Sequence, residues 1–265
     1  MPSRAAQSYD NCTGFIDSLP ATISTQGTWC LRSNVSTAMT SGAAITVATS
    51  NVTIDCNDFK VGGLAAGPTT WTYGVLAENR MNVTVRHCNV RGFYIGVSLE
   101  GSGGGHLIED NRLDQNAYGG IYVSGDNSLV QRNRVFDTGG KPGNNTAFGI
   151  RATADIIGNT VSGVHAGEAA VLVLGIEVNS EGHEVRGNHV RGLIPGTEGN
   201  ANAIQANAFG ATFTANRVSS DFPGTAGAGI WANGGFCIGN TVRNYQLPYG
   251  TCYQDLDNLS LPMAP

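Results

Sequence analysis

One phrase of six residues recurs along the chain: an apolar residue, two variable residues, an asparagine, a variable residue and a second apolar residue. It runs first from Ile54 to Phe59, and the copy from Val130 to Val135 repeats the same order of apolar and polar positions. A repeat of this kind predicts a solenoid, in which each copy forms one coil and buries its apolar side against its neighbours. The eight copies follow one another at steps of 22 to 31 residues, with these residues at the central position: Asn57, Cys88, Asn111, Asn133, Asn159, Asn188, Asn216 and Asn240.

A second phrase, a small residue followed by alternating apolar positions, precedes each asparagine phrase, as in Gly120 to Val123 and Gly149 to Ala152. This alternation is the pattern of a β-strand with one buried face. Gly, Asn, Asp and Ser crowd the segments between strands, as turns require. Stacking the coils pairs each strand in parallel with its equivalents and predicts one inward column: Ile45, Val75, Val97, Ile121, Ile150, Ile176, Ile204 and Ile230.

The asparagine column has a physical reason. An amide side chain carries hydrogen-bond donors and an acceptor. Equivalent residues of adjacent strands lie about 4.8 Å apart, so stacked amides are expected to bond to one another and to the turn backbone.

With these phrases the sequence resembles the right-handed parallel β-helix proteins of the pectate-lyase-like superfamily from Ala43 to Tyr245. The resemblance implies an all-β fold: a single-stranded right-handed parallel β-helix of about eight coils. We expect one domain over 1–265, with an N-terminal cap (1–42), coils (43–245) and a C-terminal cap or tail (246–265). Such folds host lyases, epimerases, glycosidases, adhesins and periplasmic accessory proteins, so the resemblance implies no single function. The catalytic motifs of its pectate lyases, alginate epimerases and polygalacturonases are absent from the sequence.

Net charge and hydropathy narrow the classes of binding partner. The 265 residues carry a formal net charge of -5, which does not favour nucleic acid. No apolar run reaches the roughly 18 residues of a membrane span. Oligomeric state cannot be read from the sequence.

The six cysteines suggest an oxidising compartment. Cys12 and Cys30 bracket the N-terminal segment, and Cys237 and Cys252 bracket the last coil, so we expect two disulfides that staple the caps. Cys56 and Cys88 lie in adjacent coils, where they either form a bridge or fill buried turn positions as small apolar residues. The first residues lack the apolar stretch of a signal peptide, so we expect the mature form of a secreted or periplasmic protein.

Strand alternation also predicts which residues face solvent. If Ile121 points inward, Tyr122 points outward, and the same rule gives two outward columns. Their aromatic and amide side chains are typical of a sugar-binding groove, although a merely solvated sheet face is the alternative. The first column is Thr46, Leu76, Ser98, Tyr122, Arg151, Glu177, Gln205 and Trp231, and the second is Ala48, Glu78, Glu100, Ser124, Thr153, Asn179, Asn207 and Asn233. The residues predicted to bind substrate are Glu100, Asn179, Gln205, Asn207, Trp231 and Asn233.

Candidate catalytic residues lie on the middle coils. A polysaccharide lyase needs a base beside a uronate carboxylate and a cation that neutralises this carboxylate. We expect these roles to fall to Tyr122, Arg151 and His165, with Glu177 beside them, although Arg151 and Glu177 could equally form an ion pair between coils. Long loops before the strands would wall the groove, and they carry His165 together with the acidic residues Glu168 and Glu198.

Glu78 and Glu100 share one register on consecutive coils, close enough to share a metal such as Ca²⁺, although no cofactor is required by the sequence. These features together predict a secreted protein that binds an acidic polysaccharide and cleaves it by β-elimination or modifies its uronates. The alternative is a non-catalytic carbohydrate-binding or surface-interaction module.

Overall fold

In the computed structural model the described residues are 9, 11–167, 172–197, 199–222 and 225–261, without the side chain of Asp255. The loop residues Glu168 and Glu198 lie outside them. The described chain is a parallel β-solenoid of about eight turns with almost no helix, as predicted. It contains 31 strands, numbered here in chain order, and one 3-10 helix over Leu64–Ala66.

Each turn contributes one strand to each of three parallel sheets. The first sheet carries the predicted outward columns on its outer face. In spatial order it consists of β2 (Ala21–Ile23), β5 (Ala43–Val47), β8 (Tyr73–Glu78), β11 (Ile95–Glu100), β14 (Gly119–Val123), β17 (Thr146–Ala152), β20 (Leu172–Val178), β23 (Asn200–Ala206), β26 (Thr225–Trp231) and β29 (Tyr245–Gly250).

The second sheet follows the first along each coil and has short strands. It consists of β1 (Gly14–Phe15), β3 (Gly27–Cys30), β6 (Val52–Asp55), β9 (Val83–Arg86), β12 (Leu107–Glu109), β15 (Leu129–Gln131), β18 (Asp155–Ile157), β21 (Glu184–Arg186), β24 (Thr212–Thr214), β27 (Phe236–Ile238) and β30 (Gln254–Leu256).

The third sheet begins directly after the asparagine position. It consists of β4 (Val35–Ser36), β7 (Lys60–Gly62), β10 (Asn89–Arg91), β13 (Arg112–Asp114), β16 (Arg134–Phe136), β19 (Thr160–Ser162), β22 (His189–Arg191), β25 (Arg217–Ser219), β28 (Thr241–Arg243) and β31 (Leu259–Leu261). Strands from the expected cap regions, such as β2 and β29, therefore pair with the coils and extend all three sheets.

The core is one apolar column between the sheets. The inward residues predicted from the sequence are fully buried, and their registers agree: Ile121 pairs with Ile150, and Ile150 pairs with Ile176. Inter-coil pairing satisfies the strand backbone, while the apolar column stabilises the stack through burial.

Six of the eight predicted positions form the expected ladder of amides, whereas Cys88 is bridged to Cys56 and Nδ2 of Asn57 donates to the Leu31 carbonyl. The Nδ2 group of Asn133 donates to Oδ1 of Asn159 over 3.1 Å, and Asn159 donates to Asn188 over 3.1 Å. The ladder runs from Asn111 to Asn240 and continues to Asn258, which does not belong to the eight predicted positions. Each amide also bonds to backbone, so these buried polar groups are satisfied.

Three disulfides join Cys12 to Cys30, Cys56 to Cys88 and Cys237 to Cys252. The first and third are the predicted cap bridges. The second settles the open alternative for Cys56 and Cys88 in favour of a bridge, with 4.7 Å between the two Cα atoms. None of the described helical residues forms a helix long and apolar enough to span a membrane.

Candidate functional site

The predicted first outward column exists as a row of neighbours on the first sheet. Tyr122 pairs with Arg151, Arg151 with Glu177, Glu177 with Gln205, and Gln205 with Trp231. Alternation could predict this row because strands of one sheet in a stacked solenoid keep a common register.

Trp231 lies at the C-terminal end of the row and is 37% exposed. Its strand neighbour is Gly250. A Cβ atom at Gly250 would lie 2.6 Å from Cε3 of the indole, so glycine allows the ring to lie across the adjacent strand. The partly exposed ring can therefore offer an apolar surface to a ligand.

A cavity of about 660 Å³ opens beside Trp231. Four residues predicted to bind substrate line it, and the sequence reasoning missed other lining residues on the loop side of β20, β23 and β29. The predicted four are Gln205, Asn207, Trp231 and Asn233, and the missed residues include Leu172, Asn202 and Gln246. All three lie in strands that begin before, or lie beyond, the strand segments that the sequence pattern identified, so alternation was not applied to them.

The amides of the cavity bond to one another along β23 and between neighbouring coils. Asn202 Nδ2 donates to Gln205 Oε1 over 2.6 Å, and Gln205 Nε2 donates to Asn207 Oδ1 over 2.8 Å. Asn207 Nδ2 donates to Asn179 Oδ1 over 2.9 Å, and Asn233 Nδ2 donates to the Asn207 carbonyl over 3.1 Å. The predicted binding amides thus form one network.

Glu177 and Arg151 form an ion pair across β17 and β20. The side chain of Glu177 is only 6% exposed, and its second oxygen accepts a hydrogen bond from Asn207. The expectation that this column faces solvent is wrong for Glu177, and also for Ser98, which is fully buried. Neighbouring side chains on the outer face cover both residues, which alternation along a single strand cannot reveal.

Arg151 is also less exposed than its position suggested. Its side chain is 23% exposed, and the guanidinium carbon lies 4.5 Å from the centroid of the Phe148 ring. Of the alternatives for Arg151 and Glu177, the inter-coil ion pair is present, but it is partly buried rather than a fully solvated surface pair.

An aromatic ladder covers the outer face beside Tyr122, and the sequence reasoning did not identify it. The ring centroids of Trp71 and Tyr94 are 4.7 Å apart, and those of Tyr94 and Tyr118 are 4.9 Å apart and stacked. Tyr118 then meets Phe148 edge-on at 5.1 Å. The available signal was an aromatic residue within two positions of the strand start in successive repeats.

Lys141 supports the exposed end of this ladder. It is 3% exposed, and its Nζ donates to the carbonyls of Thr69 and Thr70 over 2.7 and 2.9 Å. The same atom lies 4.1 Å from the centroid of the Trp71 ring. Burial lowers the pKa of Lys141. Trp71 keeps 54% of its surface exposed, so the lysine backs the ring without enclosing it.

The Glu78 and Glu100 side chains share one register on β8 and β11, as predicted. Burial, together with the neighbouring Glu78 carboxylate, raises the pKa of Glu100, although Ser98 donates a hydrogen bond to it over 3.2 Å. Burial and both carboxylates raise the pKa of Tyr73. Among the described residues no group of three or more His, Cys, Asp or Glu side chains could hold a metal ion, so calcium at this pair stays a prediction.

His165 lies in a different place from the other catalytic candidates. It lines a cavity of about 420 Å³ with Asp137 and Gln115, at the turns that follow the third sheet. Its Nδ1 lies 3.2 Å from the Gly163 carbonyl oxygen. The structure therefore brings together Tyr122, Arg151 and Glu177 but not His165.

Solved structures share this architecture. The A-module of the mannuronan C-5 epimerase AlgE4 from Azotobacter vinelandii matches with a TM-score of 0.53 and 12% identity, over 94% of this chain and 87% of that module. The AlgE6 A-module from the same organism matches at 0.50 and 11%, over 96% and 92%. The Dettilon tailspike protein (gp208) matches at 0.48 and 18%, over 86% of this chain and 53% of that one, so the chain spans about half its length. The similarity to the two epimerase modules shows the fold alone. No curated protein matches the chain in sequence.

The profile of the NosD family, described as a periplasmic copper-binding protein, matches residues 8–221. The side chains that the structure describes offer copper no site of the usual kind: all six cysteines are in disulfides, and no group of three or more His, Cys, Asp or Glu side chains could hold a metal ion. The match nevertheless spans 214 of the 265 residues (221 − 8 + 1 = 214), and the β-helix agrees with it. The chain therefore belongs to the NosD family of right-handed β-helix proteins.

Proposed function

We propose that this protein binds a polysaccharide on the outer face of its first sheet, with Trp231 as the stacking platform and the cavity amides as ligands of sugar hydroxyl groups. The observation that carries the proposal is the cavity itself, where one flat indole and a network of side-chain amides meet. A concave site with an apolar wall and a few fixed polar groups is the usual form of a small-molecule or glycan site.

The chemistry of the groove matches a sugar. An exposed indole offers an apolar face for the C–H groups of a pyranose ring, while amides offer both donors and acceptors for its hydroxyl groups. Exposed indoles stand near both ends of the face, Trp71 before β8 and Trp231 on β26. The strands β8 and β26 are separated by six strand spacings in the sheet order, or roughly 29 Å, which suits an oligomeric ligand.

The family and fold support a carbohydrate-related role outside the cytoplasm. The NosD family is described as periplasmic, and three disulfides are consistent with a periplasmic or extracellular location. Two neighbours of the same fold are named as epimerases of mannuronan.

Modification of an acidic polysaccharide, most simply β-elimination, is the second candidate. Tyr122 and Arg151 favour it because they pair at one register on β14 and β17, where a base and a cation could meet one uronate. Glu177 competes with such a substrate for Arg151 because it is already paired with the guanidinium. Catalysis would therefore require the uronate to displace or share that contact.

Affinity electrophoresis in gels that contain neutral and acidic polysaccharides tests the binding proposal. We expect retardation in at least one gel, and a loss of affinity of about ten-fold in Trp231→Ala, equal to about 1.4 kcal/mol. Phe209→Ala is the matched control, because Phe209 is 66% exposed but does not line the cavity. Equal retardation of wild type and Trp231→Ala, or none in any gel, contradicts the proposal.

Incubation with the acidic polymers separates binding from catalysis. An increase in the ultraviolet absorbance of unsaturated chain ends would show β-elimination. Loss of this increase in Tyr122→Phe would identify Tyr122 as the base. Binding without new unsaturated or reducing ends supports a non-catalytic module.

A further inference from the structure

Resting on the carbohydrate site proposed above, we propose that the Trp231 cavity takes a neutral sugar, and that the buried carboxylate of Glu177 is a positioning residue that orients the amides recognising it. The neutral sugar is the class of ligand, and the Glu177 carboxylate fixes the orientation of the amides that select it.

The cavity wall is polar but uncharged. Apart from Trp231, its described lining consists of aliphatic residues, glycine and amides, none of which ionises, the amides being Asn200, Asn202, Gln205, Asn207, Asn233 and Gln246. A uronate carboxylate entering this wall would lose hydration without meeting a cation, which is unfavourable. Neutral hydroxyl groups would find both donors and acceptors.

The guanidinium of Arg151 is already paired with a carboxylate. Arg151 is the one basic residue in the two outward columns, whose members all lie within the described residues, and it pairs with Glu177. Glu78 and Glu100 leave these columns with a formal charge of -2 (three carboxylates, one guanidinium, −3 + 1 = −2). These two columns therefore repel a polyanion.

The amides form a chain whose direction is fixed at both ends. At one end, Glu177 can only accept, so Asn207 must turn its Nδ2 toward the carboxylate. Asn207 then offers Oδ1 to Gln205, and Gln205 offers Oε1 to Asn202. At the other end the backbone N–H of Ala228 can only donate, and it donates to Oδ1 of Asn202 over 2.8 Å. Both ends require the same orientation of every amide between them.

This orientation determines what the chain offers a ligand. An amide nitrogen carries two protons, and the contacts of the described residues use one on Gln205 and one on Asn202. One N–H of each residue is therefore left to donate to a sugar oxygen. A glutamine at position 177 could donate as well as accept, so it would remove the constraint at that end.

Matched polymers test the sugar class. The probes are alginate and polygalacturonate, each compared with its own carboxyl-reduced derivative, which keeps the linkage but replaces every carboxylate by a neutral hydroxymethyl group. Affinities are measured for the wild-type protein with and without added calcium. We expect the reduced polymer of at least one pair to bind about ten-fold or more tightly than its parent.

Glu177→Gln tests the positioning role, with Glu184→Gln on β21 of the second sheet as the control. The ratio of reduced to parent affinity should fall toward one in Glu177→Gln, because the amide chain then keeps only the Ala228 end fixed and Arg151 becomes free for a carboxylate. A merely structural change would lower the affinity for both polymers by the same factor and leave the ratio unchanged. Glu184→Gln should keep the wild-type ratio.

The outcomes separate the two proposals. Parent polymers that bind as well as or better than the reduced forms, with or without calcium, overturn the neutral-sugar inference but leave the carbohydrate site standing. No binding to any of the four polymers overturns the inference, and with the gel panel also negative it overturns the proposed function. If Glu177→Gln does not fold, Asn207→Ser breaks the same chain at an exposed position, and an unchanged ratio in that variant refutes the positioning role.

Discussion

Removing one amide from the asparagine ladder should destabilise the solenoid far more than removing an exposed amide. Asn159 is 1% exposed and stands in the middle of the ladder. Its Oδ1 accepts from the backbone N–H of Asn133 over 2.9 Å, and its Nδ2 donates to the Val130 carbonyl over 2.9 Å. Asn159→Ala leaves both of these buried backbone groups without their side-chain partner.

The magnitude follows from those two groups. A buried polar group left without its partner costs about 1–3 kcal/mol, so we expect a loss of about 2–4 kcal/mol after partial relaxation. For a chain of this size this corresponds to a fall in Tm of roughly 5 to 15 °C. Urea denaturation and a thermal melt measure both quantities.

Two comparison variants separate the hydrogen bonds from lost volume. Asn159→Asp keeps the volume but places an oxygen against the carbonyls of Val130 and Ile157, so it should be at least as destabilising at neutral pH. Asn200→Ala removes an exposed amide and should stay within about 0.5 kcal/mol of wild type. A near-wild-type Asn159→Asp, or a loss below about 0.5 kcal/mol in Asn159→Ala, would refute the ladder account.

Three further predictions concern the outer face. Gly250→Ala should weaken saccharide binding about as much as Trp231→Ala, since its Cβ would lie 2.6 Å from the indole; unchanged affinity in the gel assay would contradict the flat-ring argument. Lys141→Met keeps the aliphatic stem but loses two carbonyl contacts and the Trp71 contact, so it should cost about 1–3 kcal/mol in a urea melt and speed limited proteolysis within 64–72. The pKa of Glu100 is raised above its ordinary value of 4.5, so the folded protein binds the Glu100 proton more tightly than the unfolded chain does. The contribution of Glu100 to the free energy of unfolding therefore falls as pH rises from 4.5 through the folded pKa. Glu100→Gln should accordingly melt higher than wild type at pH 7 and equal to it below pH 4, and the same difference at both values would show that burial of the charge is not the cause.

The repeat was sufficient to predict the fold because the same packing requirement acts on every coil. Each coil must place Ile121 or its equivalent inward and an amide such as Asn133 at the turn, so the pattern survives insertions in the loops between coils. The same strand alternation correctly predicted the row from Tyr122 to Trp231, since parallel strands in a stack share one register.

The rest of the site depended on contacts that no periodicity encodes. Burial of Glu177 arises from side chains on neighbouring strands, and the position of His165 depends on the path of a loop after the third sheet. The contacts of Lys141 could not be predicted, because the carbonyls that accept its hydrogen bonds belong to a segment about 70 residues earlier in the chain. Within the regular strands, the sequence pattern predicted whether a side chain points into the core or outward. Outside the strands, it identified only which residue types a loop contains and not where their side chains lie.

The measurement that tests the central claim most directly is a crystal structure of the protein soaked with a neutral oligosaccharide that retards it in the gel assay. We predict that one sugar ring lies on the Trp231 indole with its hydroxyl groups hydrogen-bonded to Gln205 and Asn202, while the Arg151–Glu177 pair stays intact. An oligosaccharide bound only in the cavity beside His165, or on another sheet, would contradict the account.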